Sequence, residues 1–186
     1  MNYTFSDLYD YAKALPGATI TYYDGADMRD YEIGQGELLY LYAVEKMPMG
    51  RATNRRMGIE DATMLKITDA LDPKLKEYAD WVQEELLPQM GLEANEVHKR
   101  MFGANMDAID NYFPFVRDMN ALNREVENVK SNQPNDRISV QTGAIKKRVA
   151  SVSKWNMRNC NFMDVLAKHV EEICHWTAFA ELNRDF

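Results

Sequence analysis

At 186 residues the chain has the length of one domain or two small ones, and its 46% hydrophobic and 27% charged residues are the balance of an ordinary globular protein. A formal charge of −7 argues against a protein that coats nucleic acid generally. No apolar run approaches the ~20 residues of a bilayer span, and the N-terminus lacks the basic and apolar parts of a signal peptide.

Thr4 opens a short amphipathic helix, with Asp7 three residues on to complete a capping box and Pro16-Gly17 to stop it. Ala18 to Tyr23 is β-prone and Asp24-Gly25 is a turn signal, which predicts one short extended segment near 18–23. Gly34 and Gly36 precede Glu37 to Val44, apolar on more than one side and therefore a buried helix. Met47-Pro48-Met49-Gly50 reads as its end, which leaves Arg51, Arg55 and Arg56 in a loop. Ile59 to Leu71 is helical by spacing, and Asp72-Pro73 restarts a helix as cap and first-turn proline. Leu75, Tyr78, Ala79, Val82 and Leu86 form a helical stripe. Pro88 and Gly91 are expected to break or kink that helix before Glu93 to Phe102, which Gly103 closes.

Asn111 to Arg117 gathers three rings around a proline between two helical patterns. Proline drives the preceding residue out of the α region, so Phe113 is expected to end one run and Phe115 to open the next. Rings of that size cost free energy if left in water, so Tyr112, Phe113, Pro114, Phe115 and Arg117 read as an architectural corner held in the core. Phe115, Met119, Leu122, Val126 and Val129 then repeat at heptad spacing, read as a helix packed within its own domain. Asn161 with Asp164 caps a last helix whose Leu166, Val170, Ile173, Thr177 and Ala180 share a face bordered by Trp176. The expected fold is all-α: an irregular bundle of about six to eight helices in a single domain, 1–186, with a subdivision at 111–117.

Arg137 to Met163 carries six basic residues and no acid, while the remaining chain carries −13 against the total of −7. Lys147, Lys154 and Arg158 would share a helix face opposite Ile145, Val149 and Val152. A nucleic-acid surface built from Lys146, Lys147, Arg148, Lys154 and Arg158 together with Arg51, Arg55 and Arg56 competes with internal pairing to the acidic remainder. Internal pairing is preferred.

His169, Glu172, Cys174 and His175 crowd the last helix, but neither His-Glu-x-x-His nor repeated Cys-x-x-Cys spacing is present, so no metal or cofactor is expected. His98, flanked by Lys99 and Arg100, reads as a surface residue. Cys160 lies among basic residues that would lower its pKa, yet spacing assigns it no base. Cys160 and Cys174 make no disulfide framework, and the twelve methionines suit an adaptable helical core or partner surface. No enzymatic constellation is expected.

One ordered series covers most of the chain from Gly34 onward. It comprises Gly36-Glu37-Leu38-Leu39-Tyr40-Leu41-Tyr42, Gly50-Arg51 through Met57-Gly58-Ile59, Leu71-Asp72-Pro73 with Ala79-Asp80-Trp81, and Asn95-Glu96-Val97-His98-Lys99-Arg100. Asn111-Tyr112-Phe113-Pro114 with Arg117, and Gly143-Ala144-Ile145-Lys146-Lys147-Arg148, complete it. The series resembles a helical region of the large polyvalent proteins of bacteriophages and conjugative or mobile elements, of the Bacteroidales type. The resemblance implies a non-enzymatic structural or interaction segment that accompanies element DNA into a host cell. Its partners would be other domains of a parent polyprotein or virion and conjugation components, with nucleic acid as the alternative and no membrane. It would be virion-associated or in the host cytoplasm. It also implies that Arg117 and part of Lys146-Lys147-Arg148 dock on carboxylates near the corner.

Overall fold

A computed structural model describes residues 4–23, 27–116 and 159–184. Helices α1 (Phe5–Ala14), α2 (Gln35–Glu45), α3 (Pro48–Arg56), α4 (Asp61–Ala70), α5 (Pro73–Trp81), α6 (Leu87–Phe102) and α7 (Phe162–Arg184) accompany strands β1 (Ala18–Tyr23) and β2 (Met28–Ile33). A π-helical stretch, Val82–Leu86, joins α5 to α6 without interruption, which makes six continuous helical rods among the described residues. The fold is mostly helical.

It is not purely all-α. β1 forms an antiparallel ladder with β2, running from Ala18 opposite Ile33 to Tyr23 opposite Met28. The segment 18–23 was expected as a lone extended piece, because its partner gives no apolar signal of its own. Along β2 only Ile33 is fully buried, so Met28, Arg29, Asp30 and Glu32 show no inward alternation. The Tyr23 N–H donates to the Met57 carbonyl at 2.7 Å, fastening the hairpin to the end of α3.

Helix α2 is the axis of the molecule. Leu38, Leu39, Tyr40, Leu41, Ala43 and Val44 are all inaccessible to solvent, so this helix buries its whole circumference, as its unsegregated apolar sequence predicts. Close approach needs small residues. A Cβ on Gly36 would run into the Asn161 side chain at the start of α7, and one on Gly50 would strike the Val44 carbonyl.

The expected caps form. Thr4 Oγ1 accepts from the Asp7 N–H at 3.2 Å while Asp7 accepts from the Thr4 N–H at 3.0 Å. Asp72 Oδ1 accepts from the N–H groups of Lys74 and Leu75 ahead of Pro73, and Asn161 Oδ1 accepts from the Met163 N–H at 2.9 Å. Gly103 closes α6 in the left-handed conformation at φ 70°.

Three local expectations are corrected. Met47-Pro48 begins a helix instead of only ending one: Pro48 occupies the first turn of α3, where a missing N–H leaves no unmet bond. Arg51, Arg55 and Arg56 therefore stand on a helix, not in a loop. Pro88 and Gly91 do not break α6. The Leu87 N–H reaches back to the Val82 carbonyl, and this wide turn absorbs the register change ahead of Pro88. Finally, α6 ends at Phe102, and residues 104–116 form no helix, so Phe113 does not end a helical run and Phe115 does not open one within 115–116. Arg117, the rest of the heptad pattern and the basic stretch 137–158 lie outside the described residues, as does Asp24-Gly25.

Residues 104–111 return along α6. The Met106 N–H donates to Asn95 Oδ1 at 2.7 Å, and the Ala104 carbonyl lies 2.8 Å from His98 Nδ1. The first turns of α6 and α7 share the main core through Leu87, Val165 and Leu166. Further along, Ala94 and Val97 meet Ile173, Trp176 and Ala180 in a separate small cluster. Both helices thus contribute to both clusters.

Candidate functional site

Residues 111–116 pack against α2, the π-helical stretch and α7. Phe113 is fully buried, stacked on Phe162 at 4.5 Å between ring centroids and edge-on to Tyr40 at 5.9 Å. Pro114 is buried, while Tyr112 and Phe115 are half-buried. Tyr112 tilts against the buried His169 ring at 5.4 Å.

The backbone of the corner is bonded in turn. The Phe113 N–H donates to Met47 Sδ at 3.2 Å and the Val116 N–H to the Tyr40 hydroxyl at 3.0 Å. The Asn111 carbonyl accepts from Gln83 Nε2 at 2.6 Å, and the same amide reaches the Ala43 carbonyl at 3.0 Å. Asn111 sits at φ 51°, in the left-handed region that asparagine tolerates better than most residues. Burial pushes the Tyr40 hydroxyl pKa well up, so it stays a neutral acceptor for the Val116 N–H across the physiological range.

Two further buried amides serve the same purpose. Gln35 donates to the carbonyls of Pro16 and Ala70, both at 2.8 Å, and accepts from the Asp72 N–H at 3.0 Å. It thereby joins the end of α1, the end of α4 and the start of α5. Asn54 donates to Glu45 at 2.8 Å and to the Leu41 carbonyl at 3.4 Å. Sequence reasoning passed over Gln35, Asn54 and Gln83. No motif marks them, and the one available signal was a polar amide inside an otherwise apolar helical face.

A charged cleft of about 360 Å³ opens between α2, α3 and α4. Glu45, 15% exposed, anchors it by holding Arg55 at 2.8 Å and Arg51 at 3.3 Å. Arg55 is drawn inward: it also donates to the Ile59 carbonyl at 2.6 Å and pairs with Asp61. Arg51 is 63% exposed and among the described residues pairs with Glu45, through Nε. Arg56 lies at the exposed end of α3. The three arginines are thus near one another in sequence but are used differently.

Beside the cleft, Asp80 accepts from the Tyr42 hydroxyl at 2.8 Å and from Lys46 at 2.9 Å. Burial and the bond to Asp80 push the Tyr42 pKa up to about 12. Burial pulls the Lys46 ammonium down, but the bond to Asp80 and its charge outweigh this and raise it overall. Burial likewise opposes ionisation of Asp80, and Lys46 and Tyr42 prevail to hold its carboxyl below the usual range.

The histidines and cysteines have separate settings. His98 tilts against Phe102 at 4.8 Å, His175 against Phe179 at 4.9 Å, and His169 against Tyr112. Cys160 is half-buried and Cys174 exposed. Among the described residues, no three His, Cys, Asp or Glu side chains gather as metal ligands, and no helix is long and apolar enough to cross a membrane.

Compared with protein-family models, with curated proteins and with solved structures, the chain matches none.

Proposed function

We propose that the chain is a non-enzymatic structural and interaction domain of a phage or mobile-element polyvalent protein, accompanying element DNA into a host cell. On this reading it is one irregular helical bundle with an architectural joint at 111–117. It acts in the particle or in the host cytoplasm, against other domains of its parent or against virion and conjugation components. The ordered series from Gly36 to Arg148 supplies the family. The observation that carries the mechanical part is the use of polar groups at the joint. Gln83, Tyr40 and Met47 spend their hydrogen bonds on the backbone of 111–116, as a segment holding neighbouring parts in register requires. An epitope-tagged chain expressed from its own element should appear in nuclease-treated particles or in recipient cells. Confinement to the donor cytosol overturns the reading.

A second reading, a nucleic-acid-binding module using 137–158 and the arginines of 51–56, draws on one feature of α3. The Arg51 guanidinium is open to solvent, whereas Arg55 is already bound by Glu45 and Asp61. Binding to duplex DNA that weakens steeply with added salt, and more so for the native chain than for Arg51→Gln, would favour this module. No binding at low salt removes it.

A further inference from the structure

The cleft between α2, α3 and α4 combines features that the scaffold reading leaves unused. Its lining sets the apolar surface of Met64, Leu65 and the Tyr42 ring beside five charged side chains, among which Arg51 is the more exposed of the two arginines. Leu65 is 64% exposed, although its neighbours Met64 and Ile67 on the same helix are buried. A leucine so exposed beside a cleft is a surface on which an apolar body can rest.

The charges around it differ in availability. Lys46 is committed to Asp80 and Glu84, and Arg55 to Glu45, Asp61 and the Ile59 carbonyl. Arg51 lies nearest Glu45 through Nε, 3.3 Å away, and among the described residues its terminal nitrogens have no hydrogen-bond acceptor. A guanidinium held at one edge and free at its fork suits a carboxylate, which accepts two parallel N–H bonds. Behind the wall, Asn54 is completely buried and donates to Glu45, which fixes that carboxylate in turn.

We propose that this cleft binds a small carboxylic acid with an aromatic or branched aliphatic body. The carboxylate lies on the Arg51 fork and the body on Leu65 and Met64. A cleft of about 360 Å³ is at the small end of the range for compact ligands. The lining holds three basic and two acidic side chains, a net of one positive charge, and a bare inorganic anion would leave the apolar floor uncovered. The proposal is independent of the element-protein reading.

The test is a titration of the full chain, labelled at its methionine and leucine methyl groups, with phenylacetate, with its neutral isostere phenylacetamide, and with inorganic phosphate. Phenylacetate should shift the Met64 and Leu65 signals saturably and bind roughly tenfold or more tightly than the amide, a difference of about 1.4 kcal/mol. Arg51→Gln, at an exposed position, should erase that preference with an unchanged melting temperature. Leu65→Ser should weaken the acid and the amide alike. Three results overturn the proposal: no saturable shift with phenylacetate, phosphate binding as well as phenylacetate, or an unaltered acid preference in Arg51→Gln.

Discussion

The described residues form two apolar cores of different quality. Around α2 the interior is sealed, with Leu38, Leu39, Ile59, Ile67, Leu75 and Phe113 at zero exposure and buried amides bonded to the carbonyls of separate segments. Along the outer parts of α6 and α7 the second core consists of Ala94, Val97, Ile173, Trp176 and Ala180, with Met90, Met101 and Met106 packed at its margin. Phe102, Phe179 and Leu182 remain substantially exposed on the same two helices. Two small side chains and a methionine margin give a thin, adaptable contact. Stability is therefore distributed unevenly, and the outer arm is expected to open locally at lower cost than the α2 core.

Paired truncations break this comparison most directly. Phe113→Ala removes the ring that touches Phe162 and Tyr40, so a loss of about 3–5 kcal/mol is expected in denaturant unfolding. Val97→Ala in the arm should cost only about 1–2 kcal/mol. Equal losses would mean that the two cores are one cooperative unit. Next in size is Gln83→Leu, which strips donors from the carbonyls of Ala43 and Asn111 while nearly keeping the volume. A loss of about 1–3 kcal/mol is expected, with amide exchange accelerated at 112–116 ahead of the rest of the chain.

The Tyr42–Asp80–Lys46 group adds a dependence on pH. A phenol whose pKa is raised from 10.0 to about 12 on folding contributes stability that is complete below pH 10 and is lost as pH rises through 12. Lys46, also raised, acts in the same direction, being fully favourable below its unfolded value of 10.5. Asp80, depressed below 3.8, contributes above that value and loses its contribution as pH falls through the folded pKa. The urea midpoint should therefore fall between pH 10 and 12. Tyr42→Phe should flatten that fall without abolishing it, because Lys46 and Tyr40 still titrate in the same sense, and at neutral pH should cost about 1 kcal/mol for the lost bond to Asp80.

Legibility from sequence followed the range of the physics. Capping boxes, Asp72-Pro73 and Gly103 were legible because their partners lie within a few residues, and α2 was legible because its apolar residues occupy every side. The burial of Phe113 accords with the cost of leaving such a ring in water. What the sequence could not show was pairing across distance. β2 earns its strand from β1 and has little pattern of its own, and Gln35, Gln83 and Asn54 bond to backbone groups up to 40 residues away. Pro48 carried two meanings, stop and start, and the second holds, with Gly50 of the new helix packed closely against Val44. Glu45 pairs with both Arg51 and Arg55, and it is Asp61 and the Ile59 carbonyl that hold Arg55 further in, partners that the sequence did not assign.

The smallest predicted effect sharpens the comparison at the arm. Trp176 is 3% exposed, and its indole N–H is buried without a hydrogen-bond acceptor. An unmet buried donor costs free energy, and in the main core the amides of Gln83 and Asn54 donate while their side-chain oxygens are likewise without a partner among the described residues. Trp176→Phe removes that donor and also removes apolar contact area, so the two consequences oppose each other. The net change should be within about 1 kcal/mol of zero, in contrast to the loss expected from Phe113→Ala. Chemical denaturation gives the free energy, and tritium or deuterium exchange along α7 gives its location. A loss above about 3 kcal/mol, spread to the amides of α2, would show that the arm is bound into the main core and would remove the distinction between them.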